Sequence, residues 1–174
     1  MSAAVLSVGS NLGDRYAHLR GAVTLLARWS VRASPVYETP PWGDPDQPDY
    51  LNAVLLVTDP AAGPEDWLRR ARECEEAAGR VRDPDRRFGP RTLDVDVVAV
   101  WRADGSAVFR DDPELTLPHP RAAERAFVLR PWLDLDPAAV LPGHGPVADL
   151  PAVAATDTTG TLRLRSGWRL ESDR

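Results

Sequence analysis

The chain has 174 residues, a formal net charge of −5 and a pI of about 5.2, and 43% of its residues are hydrophobic. This length and composition fit one folded domain with a substantial core, while the negative charge argues against a nucleic-acid binder with a broad basic surface. All 21 basic residues are arginine, which excludes a P-loop and Schiff-base catalysis because both need a lysine.

The apolar segments are too short to cross a membrane. The longest, such as 53–57 and 97–101, contain five residues, whereas a membrane-spanning helix needs about 20. No basic stretch precedes the first apolar residues, so we expect no secretory signal. Cys74 is the single cysteine, so no internal disulfide can form, and we expect a cytoplasmic location.

The first part of the chain predicts a strand, a helix and a second strand. Residues 4–8 are typical of a buried strand, and a turn-rich loop follows at 9–14. Apolar residues then recur at spacings of three and four from Tyr16 to Trp29, which predicts an amphipathic helix. Residues 31–37 are the next strand candidate.

A proline-rich loop follows at 39–49, where four prolines lack backbone donors and prevent regular structure. A loop of this length inside a compact domain is usually functional. A strand is predicted at 50–58, and a helix from Pro64 to the stop signal at Gly79. The predicted apolar stripe of this helix consists of Trp67, Leu68, Ala71, Cys74 and Ala78.

The next segment begins with an irregular loop at 80–91. Residues 93–101 predict a central strand. A turn at Asp104 and Gly105 should then lead to an edge strand near Val108.

The C-terminal part predicts a helix at 121–133 and, by weak alternation, a short strand at 161–165. The order strand, helix, strand, strand, helix, strand matches an α+β fold of ferredoxin-like type, a central antiparallel sheet with helices packed on one face. No repeat or linker divides the chain, so we expect residues 1–174 to form a single domain. No apolar stripe is left once the core is assigned, and we therefore expect a monomer.

Two aspartates, Asp94 and Asp96, give the sharpest functional signal. Side chains alternate along a strand, so both carboxylates should point to one face, roughly 7 Å or less apart. Such a pair repels unless a cation lies beside it, and carboxylates that bind Mg²⁺ together with substrate phosphates are usual in phosphoryl transfer. Taken alone, the pair also fits the solvated face of an ordinary strand, which is the commoner case.

An arginine-rich loop precedes these aspartates. It contains five arginines, which are Arg80, Arg82, Arg86, Arg87 and Arg91. Guanidinium groups bind phosphate oxygens bidentately and stay charged at physiological pH. The loop and the aspartates together indicate a clamp for a polyphosphate, the alternative being a solvated charged loop, particularly for Arg86.

Five ordered motifs carry a resemblance to a known family. They are Gly-Ser-Asn-Leu-Gly-Asp, Thr-Pro-Pro-Trp-Gly followed by Asp-Gln-Pro-Asp-Tyr-Leu-Asn, Gly-Arg-Val-Arg, Phe-Gly-Pro-Arg-Thr-Leu-Asp-Val-Asp and Leu-Pro-His-Pro. From residue 5 to about residue 142 the chain resembles the 6-hydroxymethyl-7,8-dihydropterin pyrophosphokinases. The resemblance implies a folate-pathway enzyme that transfers diphosphate from ATP to the hydroxymethyl group of the pterin and releases AMP.

The resemblance also implies roles for individual residues. Asp94 and Asp96 would hold two Mg²⁺ ions and, with Arg82 and Arg91, form the catalytic set. The implied ATP-binding residues are Glu75, Arg80, Arg82, Arg87, Arg91, Thr116, His119 and Arg125. The implied pterin-binding residues are Thr39, Pro40, Trp42, Tyr50, Asn52, Phe88 and Phe127.

Within the implied pterin site, Tyr50 and Phe127 would sandwich the flat ring. Asn52 would read the edge of the ring, because an amide offers a donor and an acceptor side by side. Without the resemblance, Tyr50 and Phe127 fit plain core aromatics equally well.

Two of the departures from the family pattern are substitutions in the arginine-rich loop. Asp83 stands where a basic residue is frequent, which puts one nucleotide contact in doubt. Phe88 replaces a common tryptophan and so keeps a ring while losing its N–H. Neither change affects the two aspartates.

Three other functions fit parts of the pattern. A regulatory module that binds a ligand without catalysis would not need two aspartates beside five arginines. An RNA-binding domain should show paired aromatics on its central strands and a basic face. A pyrophosphokinase with another acceptor is opposed only by Asn52 and the flanking rings.

Overall fold

The computed structural model describes residues 2–42, 44–82, 84–85 and 89–170. The first half contains β1 (Ser2–Ser10), α1 (Arg15–Leu26), β2 (Ser30–Ala33), β3 (Tyr37–Thr39), β4 (Tyr50–Asp59) and α2 (Pro64–Ala77). The second half contains β5 (Asp94–Trp101), a 3-10 helix (Ala122–Glu124), α3 (Ala126–Leu135), β6 (Val140–Leu141), β7 (Gly145–Pro146), a 3-10 helix (Val147–Asp149), α4 (Pro151–Thr159) and β8 (Arg163–Leu164). Four residues of the arginine-rich loop that the sequence singled out, Asp83, Arg86, Arg87 and Phe88, lie outside the described residues.

One antiparallel sheet organises the fold. Its strand order is β5-β1-β4-β3-β8, and β2 also pairs with β4. The predicted central antiparallel sheet with packed helices is confirmed, and each strand predicted in the first 60 residues lies in it.

The prediction that 93–101 is a central strand was wrong. β5 lies at one edge of the sheet beside β1. It is rich in apolar residues because loop segments cover its outer side, where the N–H of His119 donates to the carbonyl of Val98 at 2.8 Å. The edge strand expected near Val108 is reduced to an isolated bridge between Trp101 and Ala107.

The two faces of the sheet bury separate cores. Leu6 and Val8 of β1 pack on one face with residues of α1 and α2. Val5 points to the opposite face, where it packs with residues of α3 and α4. The expectation of helices on one face was therefore wrong, because the segment after β5 supplies a second helical layer. No helix among the described residues is long and apolar enough to cross a membrane.

Other departures from the predicted elements have local causes. The strand predicted at 31–37 divides into β2 and β3 around Ser34 and Pro35, where Pro35 lacks a donor and the Ser34 hydroxyl accepts from the N–H of Val54 at 2.9 Å. The helix predicted at 121–133 is a 3-10 turn and α3, separated at Arg125. α4 was not predicted.

Candidate active site

The two aspartates lie side by side on β5. Asp94 pairs in register with Gly9 of β1, and Asp96 pairs with Ser7. Side-chain alternation directs the intervening Val95 into the core formed with α1 and α2. Both carboxylates therefore belong to the other face of the sheet, where they are 27% and 29% exposed.

Guanidinium groups surround both carboxylates. Asp94 accepts from Arg80 at 2.6 Å and pairs with Arg91 at 3.2 Å. Burial raises the pKa of the Asp94 carboxyl, but Arg91 and Arg80 outweigh it, and the pKa lies below its ordinary value. Asp96 accepts from Arg125 at 2.6 Å. Both carboxylates therefore lie beside guanidinium groups, and those beside Asp94 favour its ionised form.

Glu75 joins the arginines to the strand that carries the aspartates. It lies on α2 and is 5% exposed. One carboxylate oxygen accepts from Arg80 and from the N–H of Val95 (3.0 Å), and the other accepts from Arg82 at 2.6 Å. Burial raises the pKa of this carboxyl against the opposing effect of these donors. Glu75 thus holds two clamp arginines against β5.

His119 and Thr116 occupy the loop before α3. The ring Nε2 of His119 lies 3.7 Å from Asp96, and its Nδ1 accepts from the N–H of Arg121 at 3.1 Å. Burial lowers the pKa of His119, although Asp96 opposes this. The hydroxyl of Thr116 donates to the carbonyl of Asp112 at 3.3 Å, so the structure places this side chain in its own loop.

One pocket beside the aspartates has aromatic walls. It is lined by Ser7, Gly9, Thr39, Pro40, Trp42, Tyr50, Asn52, Arg91, Asp94, Asp96, Arg125 and Phe127. All predicted pterin-binding residues except Phe88, which lies outside the described residues, are brought together here. Their roles stay predictions.

Two close contacts shape the floor of this pocket. The Asn52 side chain is 3% exposed, and its NH₂ donates to the Thr39 hydroxyl at 2.7 Å. A Cβ placed on Gly9 would lie 2.9 Å from Oδ1 of Asn52. Only glycine therefore leaves room for the amide at this position. The sequence placed Gly9 only at the start of a turn-rich loop. Its position opposite Asn52 in the strand register was the missing information.

Arg125 connects the aromatic walls to the aspartates. Its guanidinium carbon lies 5.5 Å from the Trp42 ring centroid and 5.7 Å from that of Phe127. These are cation–π distances, and the same group binds Asp96.

A second pocket lies on the other side of the aspartates and is dominated by charged groups. It is lined by Leu68, Ala71, Arg72, Glu75, Glu76, Arg80, Arg82, Asp94, Val95, Asp96 and Glu114. Asp94 and Asp96 therefore line both pockets, and the predicted ATP-binding residues Glu75, Arg80 and Arg82 lie in the charged one. Thr116 and His119 are not among the lining residues of either.

Asn11 connects two loops beside the pocket, a role that the sequence did not indicate. It is 2% exposed, and its NH₂ donates to Gln47 (2.8 Å) and to the carbonyl of Pro48 (3.1 Å). Its Oδ1 accepts from the N–H of Arg91 at 2.9 Å. Asn11 thus ties the proline-rich loop to the end of the arginine-rich loop.

The donor set suits a hard cation. Among the described residues no group of three His, Cys, Asp or Glu side chains could hold a metal ion. The aspartate pair offers carboxylate oxygens only, which fits Mg²⁺, since this ion commonly takes one or two carboxylates and completes its shell with water and substrate phosphates.

Comparison with known proteins establishes the family. The family model described as 7,8-dihydro-6-hydroxymethylpterin-pyrophosphokinase (HPPK) matches residues 5–137. The chain belongs to this family. The resemblance drawn from the sequence motifs is confirmed.

Three relatives named 2-amino-4-hydroxy-6-hydroxymethyldihydropteridine pyrophosphokinase align with the chain. That of Mycobacterium tuberculosis (strain ATCC 25618 / H37Rv) is 47% identical over 94% of this chain and 90% of its own length. The relative from Methylorubrum extorquens is 41% identical over 94% of this chain and 99% of its own length. The relative from Bacillus subtilis is 35% identical over 76% of this chain and 77% of its own length.

Solved structures share the fold at low identity. A Plasmodium falciparum HPPK-DHPS structure, solved with pterin and p-hydroxybenzoate, superposes with a TM-score of 0.63 at 13% identity over 94% of this chain. A second HPPK-DHPS structure, solved in complex with substrates, gives a TM-score of 0.62 at 10% identity over 90% of this chain. The chain spans 46% and 44% of these two longer proteins.

Proposed function

We propose that this HPPK-family protein transfers diphosphate from ATP to the hydroxymethyl group of 6-hydroxymethyl-7,8-dihydropterin and releases AMP, in folate biosynthesis. One observation carries the proposal: Asp94 and Asp96 form the boundary between an aromatic pocket and a charged pocket. A flat acceptor on one side and a polyphosphate on the other would meet at the two carboxylates.

The aromatic pocket suits a pterin. Tyr50 and Phe127 offer rings to a flat heterocycle. The buried Asn52 amide, oriented by Thr39, offers a donor and an acceptor to the ring edge. This polar edge favours a pterin over an apolar acceptor and distinguishes the proposal from a pyrophosphokinase with a different acceptor.

The charged pocket suits the phosphates of ATP. Arg80 and Arg82 line it, and Arg91 and Arg125 lie against the aspartates from the other side. Guanidinium forks match phosphate oxygens. Arg80, Arg82 and Arg125 donate to carboxylate oxygens, which present the same kind of acceptor as phosphate oxygens.

Asp94 and Asp96 are the residues that would hold Mg²⁺, and two ions are part of the proposal. When bound, Mg²⁺ would neutralise charge on the phosphate oxygens.

In the proposed reaction the pterin hydroxyl oxygen attacks the β-phosphorus of ATP. The bond from that phosphorus to the oxygen shared with the α-phosphorus breaks, and AMP leaves. The arginines of this chain position the phosphates and offset developing negative charge. Asp96 is the nearest candidate to receive the hydroxyl proton.

Three broader statements also belong to the proposal. We treat residues 1–174 as a single domain, supported by one continuous sheet that includes both β1 and β8. We further propose a monomer that binds small-molecule substrates and neither nucleic acid nor membrane. The single, buried cysteine supports a cytoplasmic location.

The test follows AMP release from ATP and Mg²⁺ with and without 6-hydroxymethyl-7,8-dihydropterin, for wild type and Asp96→Ala. We expect pterin-dependent AMP from wild type and none above background from the variant. ADP or inorganic phosphate as the product would indicate a different phosphoryl transfer. Pterin binding without turnover would indicate a non-catalytic relative.

A further inference from the structure

A C-terminal strap, which we define as residues 160–170, crosses the outer edge of β3. Its strand β8 pairs with β3, and the N–H of Arg165 donates to the carbonyl of Val36 at 2.8 Å. Farther along, the rings of Trp168 and Tyr16 lie 4.9 Å apart, and Leu170 is 3% exposed in the core beneath α1. The strap is therefore fixed at both ends.

One strap residue reaches both ends of the pterin-side loop, which we define as residues 40–49 between β3 and β4. Arg163 donates to the Asp49 carboxylate at 2.6 Å and pairs with the Glu38 carboxylate at 3.2 Å. Arg15 of α1 makes the matching pair of contacts, to Glu38 at 2.9 Å and to the Asp49 carbonyl at 2.8 Å. Two guanidinium groups thus join strand β3, which precedes the loop, to the last residue of the loop.

The same loop and its flanking residues build one wall of the aromatic pocket. Glu38 precedes Thr39, and Asp49 precedes Tyr50; Thr39 and Tyr50 are paired in register and line the pocket. The loop between them contributes Pro40 and Trp42. A displacement of about 1 Å in a substrate-positioning residue has large functional effects.

We propose that the C-terminal strap, acting through Arg163, positions the pterin-side loop and thereby sets the affinity for the pterin acceptor. This inference rests on the proposed function for the identity of the ligand. Arg163 is a positioning residue, since it contacts the loop and does not line the pocket.

The contacts argue for a local effect. The Arg163 side chain is 59% exposed, and exposed ion pairs contribute little to global stability. The described residues of the pterin-side loop, 40–42 and 44–49, contain no helix or strand, so side-chain contacts such as these contribute to their conformation. Removing Arg163 should therefore loosen the loop while the fold remains intact.

The experiment compares wild type with Arg163→Ala, Arg163→Glu and Arg163→Lys. Arg69→Ala is the control, because Arg69 is a similarly exposed arginine whose ion pairs, to Asp66 and Glu73, lie within α2. Steady-state kinetics give KM for pterin, KM for ATP and kcat. Hydrogen exchange measured by mass spectrometry follows the backbone amides of residues 40–49.

Arg163→Ala should raise KM for the pterin about two- to fivefold, the size expected for loss of exposed ion pairs, with KM for ATP and kcat nearly unchanged. Arg163→Glu should raise it further, because a third carboxylate would face Glu38 and Asp49. Arg163→Lys should recover most of the wild-type value. Loop amides should exchange faster in the Ala and Glu variants and at the wild-type rate in Arg69→Ala.

Two results overturn the inference. One is unchanged loop exchange in Arg163→Glu, and the other is faster exchange with an unchanged pterin KM. If wild type does not turn over the pterin at all, the proposed function fails instead. Loop exchange in the same variants then still decides whether the strap holds the loop.

Discussion

The two pockets that share Asp94 and Asp96 differ in how they are built. Strand residues and one helix end form most of the aromatic pocket. Its polar contacts include Asn52 to Thr39 within the sheet and Arg125 to Asp96 from the segment before α3. The charged pocket consists largely of ionised side chains from α2 and the arginine-rich loop, which bind one another.

Under the proposed function, this difference would separate binding of the pterin from use of ATP. The aromatic pocket brings the rings of Tyr50 and Phe127 and the Asn52 amide to one cavity. In the charged pocket Arg80 and Arg82 each have a carboxylate partner, so under the proposed function phosphates would displace these contacts before they are held. Changes on the aromatic side should therefore alter pterin affinity, and changes on the charged side should alter the use of ATP.

The largest expected effect is at the shared boundary. Asp94→Asn removes a charge that faces both Arg80 and Arg91. We expect turnover to fall by about 10³-fold, comparable with the loss of a key electrostatic group in an active site, while pterin still binds. AMP release and a pterin fluorescence titration measure the two quantities. Turnover near the wild-type rate would remove Asp94 from the proposed metal site.

A smaller effect is expected on the charged side from Glu75→Gln. A neutral amide cannot accept from Arg80, Arg82 and the Val95 N–H as the carboxylate does, so both arginines lose a charged partner. We expect kcat/KM for ATP to fall about tenfold or more, the size of a lost hydrogen bond to a charged group. Pterin affinity should change little.

The control for that prediction is Glu73→Gln, two residues earlier on α2. Glu73 pairs with Arg69 on the exposed side of the helix. An equal loss in both variants would show that Glu75 acts through helix stability and not through the clamp.

On the aromatic side, Gly9→Ala should disturb pterin binding. The new Cβ would lie 2.9 Å from Oδ1 of Asn52, so the amide must move. We expect KM for the pterin to rise about tenfold, in line with the cost of overpacking a buried site. Gly21→Ala in α1 is the matched control, because nothing lies within 4 Å of its Cβ. That variant should be about 0.5–1 kcal/mol more stable by thermal unfolding, and the account is wrong if it shows the same kinetic change.

The smallest effect concerns Cys74, which precedes Glu75 on α2. Burial raises the pKa of its thiol to about 11, so about one thousandth is thiolate at pH 8. Iodoacetamide should label the folded protein far more slowly than the urea-unfolded protein. Equal labelling rates would show that α2 opens readily beneath the charged pocket.

The sequence predicted β1, β4, β5, α1, α2 and the aspartate pair because these depend on local periodicity. The Asp94 and Asp96 side chains share a face through strand alternation alone. The sequence did not predict the burial of Arg70 and Glu75, which form part of the buried face of α2. These positions do not follow the apolar spacing, and their burial depends on partners distant in the chain.

The remaining site residues depend on register and loop contacts. The pairing of β1 with β4 places Gly9 opposite Asn52. Asn11 contacts both the proline-rich loop and the end of the arginine-rich loop. Arg163 reaches the pterin-side loop across 114 residues of sequence. No local pattern encodes such contacts, so the composition of the C-terminal segment gave no functional signal.

The most direct test of the two-pocket account compares Asn52→Ala with Arg82→Ala in one kinetic assay that varies pterin and ATP separately. Asn52 lines the aromatic pocket, and Arg82 lines the charged pocket. The account predicts that Asn52→Ala raises KM for the pterin alone and that Arg82→Ala impairs kcat or the KM for ATP while leaving KM for the pterin unchanged. If both variants alter the same substrate's KM, the division of the site at Asp94 and Asp96 is contradicted.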